Sequence, residues 1–316
     1  MIKDNPAMRW LLWMFCLGLL AVAIGCLWLS PRYWPFEMLS AFWPQYLAAF
    51  FALGLAAAFS WRPALALFAL AGVALAGVAL KSLLAPAPAP PLSTHAASFT
   101  MMQANLHDEN IDHQRFFKFV GSNHPDILAL QEVTPHWMRA IRANENLMTR
   151  YPYRLIGNGG DTTLLSRFPL AHARREFIPP YDSYLSAQVR LENRVVQVFV
   201  IHPEHPTSGS SARRQRGVFD ALIAKGRQTP NPFLIVGDFN ATPWSYQFNR
   251  LKSSLSLTDT AQQGLGFPPS WPVGWGPLMI PIDHCLVSPG LRVTQRTVGP
   301  ALGSDHLPAR MTLALE

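Results

Sequence analysis

Long apolar runs without a charged side chain dominate the first third of the chain. Three of them, residues 10–30, 38–61 and 63–80, contain 21, 24 and 18 residues. A helix needs roughly 20 apolar residues to cross the hydrocarbon core of a membrane, whereas the apolar part of a secretory signal has roughly 7–15. The pattern therefore predicts a membrane domain, residues 1–84, with three transmembrane helices. We expect these helices at about residues 10–30, 40–60 and 63–84.

Positive side chains flank these runs unevenly. Lys3 and Arg9 precede the first run and Arg62 lies between the second and third, whereas Arg32 lies between the first and second. Lys and Arg are enriched on the cytoplasmic side of membrane spans. We therefore expect a multi-pass protein of the inner (cell) membrane. Its N-terminus is expected in the cytoplasm and everything after Leu84 outside it, which is the periplasm for a bacterial-type chain.

A proline-rich segment, residues 85–97, follows the apolar runs. Its first seven residues read APAPAPP, and alternating proline favours an extended conformation of roughly 3.1 Å per residue. We interpret the segment as a short, semi-rigid linker that keeps the following domain, residues 98–316, close to the membrane.

Short apolar runs alternate with amphipathic segments from Ser98 to Glu316. Apolar runs of strand length between helices are typical of buried strands in a layered α/β protein. A hairpin with its turn near Glu192 and Asn193 indicates that the sheets are mixed. The predicted strands cover residues 98–105, 126–133, 162–170, 184–202 (both arms of the hairpin), 233–239, 282–288 and 309–316, and the predicted helices cover residues 112–124, 136–150, 211–226 and 246–251.

The net charge of the chain excludes few classes of binding partner. The chain carries +7, and five of its 26 Lys and Arg and two of its 19 Asp and Glu precede Ser98, which leaves +4 for residues 98–316. Arginine pairs such as Arg174 and Arg175 suit planar recognition of phosphate, although a solvated basic surface explains them equally well. Such a balance fits nucleic acid, anionic lipid headgroups or neither. Cys285 is the single cysteine of this region, so no disulfide forms within it.

Polar side chains end or interrupt several of the predicted strands. Taken singly, each fits an ordinary role such as capping a turn or a helix. Strand ends on one side of an α/β sheet converge, however, and gathered carboxylates repel one another unless a cation or a proton intervenes. The set therefore predicts one divalent-metal site surrounded by catalytic groups. Its members are Asn105, Glu132, His202, Asp238, Asn240, Asp283, Asp305 and His306.

The expected metal ligands, Glu132, Asn105 and Asp305, offer hard oxygen atoms. Mg²⁺ takes one or two carboxylates and completes its shell with waters or substrate phosphate, and Mn²⁺ or Ca²⁺ can replace it on oxygen ligands. The sequence contains no cysteine cluster and no His-x-x-x-His pair, which argues against a structural zinc site.

Several of these residues stand in motifs that resemble one family. The resemblance is to the endonuclease/exonuclease/phosphatase superfamily, which has the DNase I-like fold, and it covers nearly all of residues 98–316. It implies a four-layer α/β/β/α sandwich with two mixed sheets, and an Mg²⁺-dependent hydrolase of phosphodiesters or phosphomonoesters. The motifs, in chain order, are QANLH, PDILALQEV, TTLLSRFPL, GDFN, IDH and SDH.

The resemblance also implies roles near the metal. Glu132 is similar to the main metal ligand, with Asn105 and Asp305 assisting directly or through water. Asp238 is similar to the carboxylate that orients or deprotonates the attacking water, and Asn240 to an amide that donates a hydrogen bond to the phosphate.

Three histidine and aspartate positions complete these implied roles. His202 is similar to a histidine that contacts a non-bridging oxygen of the phosphate. Asp283 is similar to a carboxylate that orients His306 and stabilises its charge. Whether His306 is base, acid or phosphate clamp stays open.

One position departs from the better-known nucleases of the superfamily. Some of them carry an aspartate two residues after the first-strand asparagine, where this chain has His107. The departure weakens the resemblance to abasic-site endonucleases in particular. His205 and His284, which adjoin motif residues, are expected to lie behind the reacting groups.

Two enzymatic functions fit the sequence. The membrane spans and the short linker favour a membrane-anchored phosphoester hydrolase that acts on lipid headgroups or small phosphodiesters. The arginine excess supports the alternative of a membrane-tethered extracytoplasmic nuclease. The loop from Ser270 to Pro277, with Trp271 and Trp275, suits a lipid interface, base stacking or plain packing. A non-catalytic membrane scaffold is a third function, against which the complete set of motif residues argues.

Overall fold

The computed structural model describes residues 6–59, 63–81, 97–157, 161–180, 182–192, 194–230, 232–262 and 268–316. Within them, a group of apolar helices precedes two six-stranded sheets. The predicted linker, residues 85–97, lies outside the described residues apart from Ala97, and so do Lys3 and Arg62.

Four helices form the N-terminal group. Two of them are long and apolar enough to cross a membrane singly, and a bent pair makes a third span if its two helices are counted together. The two helices of the pair are bent by 67° relative to each other. Pro44, the second residue of the second helix, lacks an N–H and favours a break just before it. The predicted helix at 40–60 is therefore preceded by a separate short helix. The bounds are α1 Pro6–Trp28, α2 Trp34–Ser40, α3 Trp43–Phe59 and α4 Pro63–Leu80.

The first sheet contains the first predicted strand at its centre. Its order is β11-β12-β1-β2-β4-β3, in which β1 and β2 are parallel and the other neighbours antiparallel. The bounds are β1 Ser98–Asn105, β2 Ile127–Gln131, β3 Tyr153–Ile156, β4 Thr162–Ser166, β11 Leu291–Val298 and β12 Ala309–Leu315.

The second sheet contains the predicted hairpin. Its order is β5-β6-β7-β8-β10-β9, with β7 and β8 parallel and the other neighbours antiparallel. The bounds are β5 Leu170–Ile178, β6 Asp182–Leu191, β7 Arg194–Ile201, β8 Phe233–Asp238, β9 Thr258–Asp259 and β10 Asp283–Val287.

Helices cover the outer face of each sheet. The inner faces pack on each other, and Met101 belongs to this central core while its neighbour Met102 belongs to the core under the helices. Successive side chains of a strand point to opposite faces, so β1 contributes to both cores. The resulting α/β/β/α order confirms the predicted fold class. The remaining helices are α5 His113–Asn123, α6 Pro135–Ala143, α7 Glu145–Arg150, α8 Gly209–Gln228 and α9 Tyr246–Ser254.

Two predicted elements are divided in the structure. The predicted helix 136–150 breaks at Asn144, whose side chain accepts a hydrogen bond from the N–H of Leu147 at 3.0 Å and so caps α7. The predicted strand 162–170 ends at Ser166, whose hydroxyl bonds both the N–H and the carbonyl of Phe168 and closes a turn. In both places a short polar side chain competes with the regular backbone ladder.

The two sheets and the helices that cover them, which we call the sheet unit, pack directly on the N-terminal helices. Trp244 belongs to one apolar cluster with Trp43 and Phe50, and its indole N–H donates to the carbonyl of Ser40 at 2.8 Å. Glu37 of α2 accepts from the N–H groups at the start of α9. The connection between α1 and α3 therefore lies on the side of the sheets.

Candidate active site

The carboxyl ends of the two parallel strand pairs meet at one edge of the sandwich. Asn105 ends β1 and Glu132 follows β2, while His202 follows β7 and Asp238 ends β8. Asp283 starts β10 and pairs in register with Asp238. All eight predicted site residues lie at this edge, around a catalytic cavity of about 460 Å³ or directly behind it. Those that line the cavity itself are Glu132, Asp305 and His306, together with His107, Asp108, Thr134, Asp161, His205 and Trp271.

A buried row of charges stands behind this cavity. His306 Nδ1 lies 2.8 Å from Asp283 Oδ2, and its Nε2 lies 3.7 Å from Asp238 Oδ2. The two aspartates are 1% exposed. Burial lowers the pKa of His306, but the charges of Asp283 and Asp238 outweigh it and raise this pKa to about 10. His306 is therefore an imidazolium at neutral pH, with both ring nitrogens donating.

The two aspartates of the row differ in proton affinity. Burial raises the pKa of both, and in Asp283 the adjacent His306 charge and several hydrogen bonds reverse this and hold the pKa low. Asp238 keeps a raised pKa, because its burial and the negative charge of Asp283 outweigh the histidines. Neighbouring groups with opposed pKa shifts are typical of acid–base pairs.

A buried glutamine, Gln103, holds Asp283 from the opposite sheet, and a second, Gln131, bonds Gln103. Gln103 Nε2 donates to Asp283 Oδ1 at 2.6 Å and to Gln131 Oε1 at 2.8 Å. Both glutamines are almost fully buried on β1 and β2, so they tie the first sheet to the second. Both stand in the quoted motifs, QANLH and PDILALQEV, but the sequence analysis assigned neither of them a role at the site.

Asn105 bonds both Glu132, the expected metal ligand, and Asp238 of the charged row. Its Nδ2 donates to Glu132 Oε1 at 2.8 Å and to Asp238 Oδ2 at 3.1 Å, while its Oδ1 accepts from the N–H of His107 at 2.9 Å. In this arrangement Asn105 acts as a donor that fixes two carboxylates. Its predicted role as a metal ligand stays a prediction.

Two further histidines near the catalytic cavity have fixed partners, and of these His205 lines it. His202 Nδ1 lies 2.8 Å from Asp161 Oδ1, a residue that the sequence did not single out. Burial lowers the pKa of His202, but Asp161 and two further carboxylates raise it to about 9. His205 Nδ1 donates to Asn240 Oδ1 at 2.7 Å, and Asn240 Nδ2 donates to the carbonyl of Pro203.

The sequence of these polar positions matches one known family. A model of the Endonuclease/Exonuclease/phosphatase family matches residues 100–306. The chain belongs to this family. It is accordingly a metal-dependent phosphoester hydrolase, as the motifs predicted.

Solved structures of the Endonuclease/Exonuclease/phosphatase fold resemble the chain at low identity. An endonuclease/exonuclease/phosphatase from Beutenbergia cavernae is 21% identical with a TM-score of 0.57, covering 69% of this chain and 72% of that one. D. rerio TDP2, complexed with a single-strand DNA product, is 13% identical with a TM-score of 0.58, covering 69% and 99%. Sphingomyelinase C from Streptomyces griseocarneus is 14% identical with a TM-score of 0.51, covering 70% and 100%. These likenesses show the fold, and no curated protein matches the chain.

The donor set of this family member fits a divalent cation. Ligand atoms of His107, Asp108 and Glu132 lie within 4.8 Å of one another. Asp305 Oδ1 is buried without a hydrogen bond, 3.3 Å from His107 Nδ1. An orphaned carboxylate oxygen beside Glu132 is the kind of hard donor that Mg²⁺ uses. Glu132 and Asp305 are thus suited to hold the metal, and His107 stands where some family members carry an aspartate.

Trp271 forms one wall of the cavity. Its indole N–H donates to Asp305 Oδ2 at 2.8 Å, and its ring centroid lies 6.3 Å from that of His306. A fixed partner of this kind orients Asp305, whose other oxygen is then left for a cation. Trp275 of the same loop is 62% exposed, so only one of the two predicted aromatic residues belongs to the cavity.

Proposed function

We propose that the protein is a membrane-anchored, Mg²⁺-dependent phosphodiesterase that acts on phospholipid headgroups or small phosphodiesters outside the cytoplasm. The observation that carries the proposal is the buried row Asp283–His306–Asp238 beside Glu132, in a domain that packs on apolar helices. The reaction is R–O–PO₂⁻–O–R′ + H₂O → R–O–PO₃H⁻ + R′–OH.

Glu132 and Asp305 would hold the metal ion, and Asn105 would position Glu132. When bound, Mg²⁺ supplies charge stabilisation for the phosphoryl oxygens. Mn²⁺ or Ca²⁺ can occupy the same oxygen ligands. The phosphodiester itself is the partner that completes the site.

Asp238 is the best candidate for the base. Its raised pKa gives it a greater affinity for a proton than an ordinary carboxylate. The water oxygen forms the new bond to phosphorus, one water proton passes to Asp238, and the bond to the leaving oxygen breaks. The leaving oxygen takes its proton from solvent water, and Asp238 returns its own to solvent.

His306 and His202 serve as donors to the phosphate oxygens. With pKa values of about 10 and about 9, both carry their protons at neutral pH. A cationic donor stabilises the charge that develops on the non-bridging oxygens. Asn240 Nδ2, which has one further hydrogen, supplies a neutral donor beside them.

A nuclease is the second candidate. A polar cavity of about 520 Å³ adjoins the site and includes Arg175 and His202 in its lining, and the similar D. rerio TDP2 is a complex with single-strand DNA. Two of the arginines that favour this function pair with carboxylates of the same chain, however, Arg174 with Glu176 and Arg214 with Glu204. A non-catalytic scaffold would not need a complete charged row.

The test is a substrate panel with the full-length protein in lipid vesicles. With Mg²⁺ it is expected to hydrolyse bis(4-nitrophenyl) phosphate and phosphatidylglycerol, and EDTA should abolish both activities. His306→Asn should lower kcat by at least about 10²-fold, whereas the matched variant of an exposed histidine, His172→Asn, should not. Nicking of plasmid DNA with no release from lipid would favour the nuclease. A C-terminal reporter that is active in the cytoplasm would contradict the proposed orientation.

A further inference from the structure

A second cavity lies between helix α2 and the sheet unit. Its volume is about 470 Å³. We refer to it as the apolar cavity because of its lining. This includes Met38 of α2, Ala41 and Phe42 from the turn between α2 and α3, and Trp271, Ile280 and Ile282 from the sheet unit.

The apolar cavity adjoins the catalytic cavity. Trp271 and His205 line both of them. Asn240 lines the apolar cavity as well, and its side chain bonds His205 at 2.7 Å. A molecule with its phosphate near His306 therefore has an apolar space within reach of its remaining part.

The walls of the apolar cavity are fixed against each other. Glu37 accepts from the N–H of Gln247 at 3.0 Å, and Trp244 donates to Ser40 at 2.8 Å. On the opposite side Gln45 Nε2 donates to the carbonyl of Pro277 at 2.9 Å. These bonds join α2 and the start of α3 to the sheet unit, so the space belongs to the packed structure.

Polar groups in the wall are largely engaged elsewhere. Both oxygens of Glu37 bond the start of α9, and Gln215 Nε2 donates to the carbonyl of Asn240 at 2.9 Å. The contents of the cavity therefore meet mainly hydrocarbon and aromatic surface, which favours an apolar ligand.

We propose that the apolar cavity takes one hydrocarbon chain of a membrane phospholipid whose phosphate lies in the catalytic cavity. The inference rests on the proposed function and names its substrate class. The argument for a membrane lipid is continuity: one wall is α2, which belongs to a bent helix pair that itself qualifies as a membrane span. In this proposal the chain enters the apolar cavity from the bilayer along α2.

The apolar cavity would lower the free-energy cost of bringing a phospholipid to the catalytic cavity. Lifting a phospholipid headgroup out of the bilayer exposes chain methylenes to water. Each exposed methylene lowers the population of the raised lipid about fourfold. An apolar space beside the site removes this cost, because the chain exchanges one apolar environment for another.

The proposal is tested with substitutions in the full-length protein that either fill the apolar cavity or make its wall polar. In vesicles of phosphatidylglycerol and phosphatidylethanolamine, kcat/KM is measured for dipalmitoyl phosphatidylglycerol and for bis(4-nitrophenyl) phosphate. Ala41→Trp, which fills the cavity, should lower the ratio of the two values by at least about tenfold. Met38→Gln, which keeps the volume, should lower the ratio in the same direction. Ala58→Trp, on the exposed side of α3, should leave it within about twofold.

Photolabelling separates failure of this inference from failure of the proposed function. The His306→Asn protein is irradiated in vesicles that contain phosphatidylcholine with a diazirine at the end of one chain. Labels on residues 38–42 and 271–282 support the inference even where hydrolysis is not measured. An unchanged ratio in both cavity variants, or labels confined to the exposed faces of α1 and α4, would overturn it and leave the phosphodiesterase intact. Absence of hydrolysis of every phosphodiester by the unmodified protein would overturn the function.

Discussion

Three residues at the edge where the predicted site residues meet have a strained backbone. His107, Glu132 and Asn240 have φ values of 58°, 54° and 48°, a region that non-glycine residues rarely adopt. Each costs of the order of 1 kcal/mol, and each directs a side chain or backbone N–H of the site. Asn240, for example, turns its own N–H back to Asp238 Oδ1 at 2.8 Å. Strain of this kind persists where the surrounding contacts over-determine the conformation.

The pH dependence of hydrolysis should report the charge of His306. Its pKa of about 10 depends on Asp283, so the donor form persists up to about pH 10 and is lost as the pH rises through that value. In Asp283→Asn the burial that lowers this pKa is opposed only by the weaker contributions of Asp238 and Asp305. The alkaline limb of kcat should therefore move to lower pH. The fall in kcat at neutral pH should be at least about 10²-fold.

The measurement is a pH–rate profile with bis(4-nitrophenyl) phosphate. Asp220→Asn, at an aspartate whose side chain is 54% exposed, is the matched control and should retain the profile of the unmodified protein. An alkaline limb that stays in place in Asp283→Asn would show that another group titrates there.

The main site residues could be predicted from the sequence because they are polar residues next to apolar runs. The other residues of the site have no such position in the sequence. Asp238 stands in a short motif where an apolar run stops, and His306 in one just before the last strand begins. Gln103 lies within a strand, and Asp161 contacts His202 only because two strands from different sheets meet. Contacts such as those of Gln103 and Asp161 form between the two sheets. They therefore depend on how the sheets are placed relative to each other, which cannot be read from a local sequence pattern.

At the scale of elements, burial decided which strands were predictable. The five residues of β2 and the six of β8 are all buried, so they appear as continuous apolar runs. By contrast β5 and β11 lie at sheet edges and alternate irregularly between exposed and partly buried positions. An edge strand lacks a neighbour on one side and tolerates polar residues. These two strands, and the short β3 and β9, were therefore absent from the sequence prediction.

Gly237 of β8 allows the neighbouring strand β7 to approach closely, one residue before Asp238. Its φ is 147°, and a Cβ there would lie 2.0 Å from the carbonyl oxygen of Ile201 on the neighbouring β7. Gly237→Ala should therefore separate the parallel strands next to Asp238 and lower the free energy of unfolding by about 3 kcal/mol or more.

Urea unfolding of the full-length protein in detergent checks this expectation. Gly217→Ala is the matched control, because nothing lies within 4 Å of a Cβ at that position in α8. Alanine also favours the helix by up to about 1 kcal/mol. Equal midpoints for Gly237→Ala and the unmodified protein would exclude a role for this close approach.

At the scale of the whole molecule, the N-terminal helices are docked on the sheets through specific side chains. The contacts of Pro31, Glu37 and Gln45 with the sheet unit place the Arg32 end of the helices beside the active site. The charge pattern predicts that Arg32 and the catalytic domain share one side of the membrane. The cellular side on which the domain lies stays a prediction. Sequence periodicity identified the apolar helices but could not show that α2 turns back to form part of a cavity wall.

Glu37 is the residue through which this docking can be tested. Its carboxylate accepts from the N–H groups of Tyr246 at 3.3 Å and Gln247 at 3.0 Å, which are otherwise unpaired donors at the start of α9. Loss of a helix-capping acceptor costs about 1 kcal/mol, so Glu37→Ala should speed hydrogen exchange of these two amides by about fivefold. Because α2 would then be held less firmly, hydrolysis of vesicle lipid should fall more than hydrolysis of bis(4-nitrophenyl) phosphate. Glu109→Ala, at an exposed glutamate, should change neither measurement. Unchanged exchange in Glu37→Ala would mean that the helices and the sheet unit are held together without this carboxylate.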